Sequence, residues 1–139
     1  MKNQQRKWNS LFLLISTSWL LISCDSNEIC FDLKKQIVCS KDNAKLSKLL
    51  IDEENGDLIW ITKKDGKMVE EYFSFEKLDT LNYLYEKSGY ISKKIDYFYL
   101  KPNTTYEVEN KSDGDASGGK LTIKTNSNCK VFYSSDICD

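Results

Sequence analysis

The sequence predicts a small, mainly β domain behind a short exported leader. Three observations predict it. From Lys45 onward, apolar residues alternate in short runs separated by Asn-Gly, Asp-Gly and Ser/Gly-rich turn signals, the period-two pattern of strands. Four cysteines, Cys30, Cys39, Cys129 and Cys138, stand in two pairs towards the ends, the arrangement of a disulfide framework. Without its leader the chain has about 116 residues, enough for one domain with a modest core. The alternative is an α+β fold with a β-meander, because one segment carries helical spacing.

The leader comes first. "MKNQQRKWNS" holds Lys2, Arg6 and Lys7 and no acid, and the uncharged run Leu11 to Ile22 follows. A positive start, an apolar stretch and then small residues is the order of a secretory signal. Twelve helical residues span roughly 18 Å, short of a hydrocarbon core of about 30 Å. The next residues, Leu21-Ile22-Ser23-Cys24, resemble the lipobox of bacterial lipoproteins, in which the thiol is acylated and becomes the new N-terminus. A thiol is the best nucleophile on offer for that transfer, and small Ser23 admits a peptidase. The resemblance implies a signal peptide over 1–23, a lipidated tether over 24–29 and one domain over 30–139. It also implies a location in the bacterial cell envelope, held to a membrane through Cys24. Asp25 is similar to the inner-membrane retention signal of enterobacterial lipoproteins, and other bacteria sort differently, so the leaflet is open.

Composition narrows the chemistry. Residues 1–23 hold three of the 20 basic residues and none of the 21 acidic ones, so 17 lysines face 21 carboxylates, a net of −4. That balance argues against nucleic acid, which needs a basic face. Arg6 is the single arginine and histidine is absent. Ser–His–Asp, Cys–His and His-metal chemistries are therefore excluded, as is a bidentate arginine clamp. No catalytic residue, cofactor or metal is expected.

The cysteines leave connectivity open. The spacing is nine in both "CFDLKKQIVC" and "CKVFYSSDIC", wide for the close pairs of a zinc site. Local pairing closes Cys30–Cys39 and Cys129–Cys138, and it is preferred because an odd separation puts two strand cysteines on opposite faces. Nested pairing, Cys30–Cys138 with Cys39–Cys129, closes longer loops and removes more unfolded-state entropy. A crossed arrangement is the third.

Between these ends, "KLSKLLI" leads through "DEENGD" into "LIWIT", with Asn55-Gly56 suited to the positive φ of a tight turn. Asp65-Gly66 supplies a second turn before "MVEEYFSF", a pattern that pairs the strand of Trp60 with that of Tyr72. In "EKLDTLNYLYEKSG", Leu78, Leu81, Leu84 and Tyr85 recur at three- and four-residue steps ahead of Gly89, which predicts a short helix over 78–88.

The run "LKPNTTYEV", Leu100 to Val108, resembles the E–F corner of fibronectin type III domains, L-x-P-x-T-x-Y-x-V. The resemblance covers roughly 48–125 and implies a small fibronectin- or immunoglobulin-like β-sandwich. Pro102 falls where the corner turns, Leu100 points inward, and Tyr106 is the corner tyrosine whose hydroxyl bonds upstream backbone. Trp60, 46 residues earlier, is similar to the family's strand-B tryptophan. Tyr72 then opens strand C, in the sheet opposite Trp60, and "KLTIKT" is the last strand.

If Leu100 faces inward, alternation turns Phe98 inward and Tyr97 and Tyr99 outward. Neighbouring exposed tyrosines form a rigid amphipathic surface of the kind enriched at binding sites; two solvated tyrosines are the plain alternative. Asp113 and Asp115 fail as a calcium loop, because Lys124 falls where a bidentate glutamate belongs. The expected role is a lipid-anchored, non-catalytic binding module with a protein or glycan partner. The alternative is an inhibitor or immunity lipoprotein that neutralises a toxin or hydrolase.

Overall fold

The computed structural model describes residues 27–41, 45–46, 48–64, 71–76, 81–88, 91–111 and 118–139. The expected leader with Cys24, the Asp65-Gly66 turn, Gly89 and the Asp113/Asp115 loop lie outside these residues. The described residues form ten strands: β1 (Ile29–Asp32), β2 (Ile37–Ser40), β3 (Lys48–Glu53), β4 (Leu58–Lys63), β5 (Tyr72–Ser74), β6 (Tyr83–Ser88), β7 (Lys93–Ile95), β8 (Thr105–Lys111), β9 (Gly119–Thr125) and β10 (Val131–Ser134). They form two antiparallel sheets, ordered β1-β2-β5 and β10-β9-β8-β3-β4-β6-β7. The chain is thus a small β-sandwich, as expected. Its division into seven and three strands departs from the near-even division of immunoglobulin-type sandwiches.

Alternation explains the core. In β3 and β4 the pairs Leu49↔Ile61 and Ile51↔Ile59 share one face, and all four residues are buried. On β8 and β9, Tyr106, Val108, Leu121 and Ile123 continue that face. The smaller sheet meets it with the row Phe31, Val38 and Phe73, which are neighbours across β1, β2 and β5. Phe73 closes the contact by packing edge-on against Tyr83, ring centroids 5.3 Å apart.

Gln36 ties the sheets together. This buried side chain in the β1–β2 turn donates from Nε2 to the carbonyls of Leu33 (2.7 Å) and Val131 (2.9 Å). Its Oε1 accepts from the Val131 N–H at 2.8 Å. The amide thereby copies the two bonds of a strand neighbour beside β10, and satisfies buried backbone groups that would otherwise be costly.

Several expectations need correction. Residues 83–88 form strand β6, not the end of a helix: Tyr83 and Tyr85 are buried in alternation, and Tyr85 lies opposite Ile61. Leu81, assigned to the helix's apolar face, is 82% exposed. The strands of Trp60 and Tyr72 do not form a hairpin. β4 pairs with β3 and β6, while β5 pairs with β2 in the other sheet. Trp60 is half-buried on the outer face, since Ile59 and Ile61 take the core side of β4. Contacts also reach back into residues 27–29, at the end of the expected tether. Asn27 accepts a bond from the Gly119 N–H, Glu28 accepts one from the Lys41 N–H, and Ile29 is buried. The close approach needs Gly119, where a Cβ would lie 2.6 Å from the Glu28 Cα.

The disulfides differ most. Cys30 bonds Cys138, Cα atoms 5.1 Å apart, while Cys39 and Cys129 are free thiols. Local pairing at the C-terminus fails because the extended β10 lies between Cys129 and Cys138 and holds them apart. Cys129 instead occupies an exposed turn with φ 62°, its N–H bonded to the Asn126 carbonyl. Nested pairing is half realised: it joins the chain ends through Cys30 and leaves Cys39 beside Cys30, across the β1–β2 ladder.

Candidate functional site

The segment 96–104 positions the site. It leaves β7, crosses the open end of the sandwich, and turns at Pro102 and Asn103, where Asn103 takes φ 51°. It then enters β8. The corner geometry is that of a tyrosine corner: the Lys101 N–H donates to the Tyr106 hydroxyl at 2.6 Å. Thr125 Oγ1 holds the same bend by donating to the Lys101 carbonyl and accepting from the Thr104 N–H. Burial pushes the Tyr106 hydroxyl above its ordinary pKa, so it stays protonated there.

Alternation along 97–100 follows the sequence reading. Leu100 is buried, and Phe98 turns inward to meet the Tyr106 ring edge-on at 6.3 Å. Tyr97 and Tyr99 point out, 59% and 58% exposed. Their rings sit 5.4 Å apart, tilted 38° to one another, so they form a shallow V and not a flat strip. The anchored Phe98 between them fixes both backbones, which lowers the ordering cost of any contact they make.

Beside the pair lies a cleft of about 510 Å³, floored by Ile59, Ile95 and Phe98. Its size falls within the usual range of small-ligand sites, roughly 300–1,000 Å³. Charge lines its walls. Lys87 pairs with Asp57 at 2.5 Å and Lys101 with Glu53 at 2.7 Å. The Glu53 carboxylate bonded to the Lys101 ammonium raises the pKa of Lys101. Lys93, Lys94 and Asp96 also line the cleft, with Lys93 opposite Lys87 and Lys94 opposite Glu86 across β6 and β7. Tyr99 is shared with a second depression of about 560 Å³ that also includes Gln36, Leu100 and Cys129.

The remaining expected residues lie elsewhere. Trp60 is on the outer face of the larger sheet, away from the corner tyrosine that it was paired with. Among the described residues, no group of three or more His, Cys, Asp or Glu side chains could hold a metal ion. Among the described residues, no helix is long and apolar enough to cross a membrane. The lysines of the cleft come from separate stretches of the chain. Only the crossing of 96–104 over the sheet end brings Lys93, Lys94 and Lys101 to one rim.

No family model matches this chain. No curated protein and no solved structure matches it either.

Proposed function

We propose that this protein is a lipid-anchored lipoprotein of the bacterial cell envelope that acts as a non-catalytic binding module, gripping an extended anionic glycan at the Tyr97/Tyr99 cleft. The observation that carries the reading is the tilted tyrosine pair at the mouth of a charged cleft. Tyrosine faces pack against the C–H faces of sugar rings, while carboxylates and ammonium groups around them bond hydroxyls. A V-shaped pair suits a single chain better than a flat polymer surface. The charge on the ligand rests on the lysines of the cleft, since Lys87, Lys93, Lys94 and Lys101 outnumber the acids Glu53, Asp57 and Asp96 that line it with them. Anchorage rests on the Leu21–Cys24 lipobox resemblance and on the polar domain behind it.

The test is retention of the protein on immobilised polygalacturonate and on neutral dextran at low salt. Retardation on the acidic matrix, lost in Tyr97→Ala/Tyr99→Ala, supports the reading. Equal passage of wild type and variant through both matrices, with a protein partner displaced by the same two substitutions, would replace the glycan with a polypeptide.

A further inference from the structure

Three cysteines lie in a row across three adjacent segments. β1 and β2 pair with Cys30 directly opposite Cys39, and residues directly opposite one another in an antiparallel pair share a face. On the other side of β1, the C-terminal segment runs parallel to it through the Phe31↔Ile137 bridge, which brings Cys138 to Cys30. Cys30 therefore stands between two possible sulfur partners and is bonded to one. The Lys41 N–H donates to the Glu28 carbonyl, so by alternation Cys30↔Cys39 is a hydrogen-bonded pair, with Cα atoms about 5.5 Å apart. That separation lies inside the range of roughly 4.4–6.8 Å that a disulfide spans without backbone movement.

We propose that Cys30 is the pivot of an internal thiol–disulfide exchange in which Cys39 displaces Cys138. The Cys39 thiolate attacks Cys30 Sγ, the Cys30–Cys39 bond forms, and the Cys30–Cys138 bond breaks. Cys138 leaves as a thiolate and takes up the proton that Cys39 released. One S–S bond is made and one is broken, so the step needs neither oxidant nor reductant.

The structural consequence falls on the edge of the smaller sheet. The N–H of Phe31 donates to the Asp136 carbonyl, and the Phe31 carbonyl accepts from the Cys138 N–H. Besides the disulfide and these bonds, the segment is held by the Lys41–Asp136 ion pair at 2.6 Å and by the Ser134 hydroxyl on Asp136. Ile137 is 54% exposed and adds little burial. Once Cys138 is released, the last residues are held weakly, and their departure leaves both Phe31 backbone groups open on an edge strand. The exchange thus converts a closed edge into an open one while β1, β2 and β5 stay paired.

The attacking thiol is held back at neutral pH. Partial burial raises the Cys39 pKa, Asp32 on β1 raises it further, and Lys35 in the turn opposes them. Tyr72 on β5 is the neighbour on its other side. Little thiolate forms at neutral pH, so the Cys30–Cys138 form persists until base or a local cation releases Cys39.

Mass spectrometry reads the exchange directly, because Lys34, Lys41 and Lys130 separate the four cysteines into different tryptic peptides. The full protein is held at pH 9, quenched in acid, alkylated and digested without reduction. The account expects the Cys30–Cys39 linked peptide to rise at least tenfold over the unincubated sample, with alkylated Cys138 rising in step. In Cys39→Ser, neither peptide should change. An unchanged Cys30–Cys138 peptide with Cys39 fully alkylated after incubation would overturn the proposal. A second variant, Cys138→Ser, should lose alkylation at both Cys30 and Cys39 after export into an oxidising compartment; full alkylation of both would also overturn it.

Discussion

Replacing Gln36 by leucine tests how the two sheets are joined. The wild-type amide makes three bonds of 2.7 to 2.9 Å to backbone groups of Leu33 and Val131. Leucine makes none, and one N–H and two carbonyls in a buried position lose their partner. At a net contribution of about 1 kcal/mol per bond, the loss is about 3 kcal/mol. The leucine side chain returns about 1 kcal/mol through its apolar surface, leaving about 2 kcal/mol of destabilisation. With a urea m-value of about 2 kcal/mol/M, the unfolding midpoint falls by about 1 M. Gln36→Asn separates backbone from bonding: asparagine tolerates the φ of 56° at this position, but it is one methylene short of Val131. It should lose nearly as much stability as the leucine variant. Hydrogen exchange at the Val131 amide should accelerate in both. A midpoint within about 0.2 M of wild type for Gln36→Leu, with the m-value unchanged, would refute the reasoning.

The other predictions follow from single contacts. Tyr106→Phe leaves the Lys101 N–H without its 2.6 Å acceptor and should cost about 1–2 kcal/mol by urea unfolding. Tyr106 and Lys101 both hold their protons more tightly in the folded state, through burial and through Glu53 respectively. Their contribution is complete below about pH 10, where both states are protonated, and fades as pH rises through the folded values. A melting temperature that stays level to pH 9 and falls above pH 10 is the expected profile. Cys30→Ala/Cys138→Ala opens a loop with a separation of 108 residues and should cost up to about 4.7 kcal/mol in the chain-entropy model. Gly119→Ala drives a methyl into the Asn27–Glu28 backbone and should cost about 1–3 kcal/mol, with faster exchange at the Gly119-position amide.

Strands whose two faces differ were legible in the sequence, and the segment 83–88 shows why others were not. Its apolar residues satisfy both a three-to-four step and an alternation, through Leu81, Leu84 and Tyr85 on one count and Tyr83 and Tyr85 on the other. Partners decide between them: Ile61 lies opposite Tyr85 and Phe73 meets Tyr83. Neither partner is local. The corner was readable because Pro102, Leu100 and Tyr106 act within seven residues of one another, and Tyr97 and Tyr99 followed from Leu100 by alternation. The lysine-lined cleft was not readable, since it depends on the path of 96–104 across the sheet end. Gln36 gave no signal, being one polar residue in a turn of polar residues. Disulfide choice was equally hidden: two spacings of nine look alike, although one spans a hairpin that brings its cysteines opposite and the other spans a strand that keeps them apart.

The proposed anchorage rests on one residue, the sulfur of Cys24. Intact-mass analysis of the membrane fraction, followed by detergent partitioning of wild type and Cys24→Ser, measures it most directly. The account predicts a chain beginning at Cys24 that carries at least two fatty acyl chains, and a Cys24→Ser variant that moves to the aqueous phase. An unmodified Cys24, or a serine variant that still partitions into detergent, would contradict it.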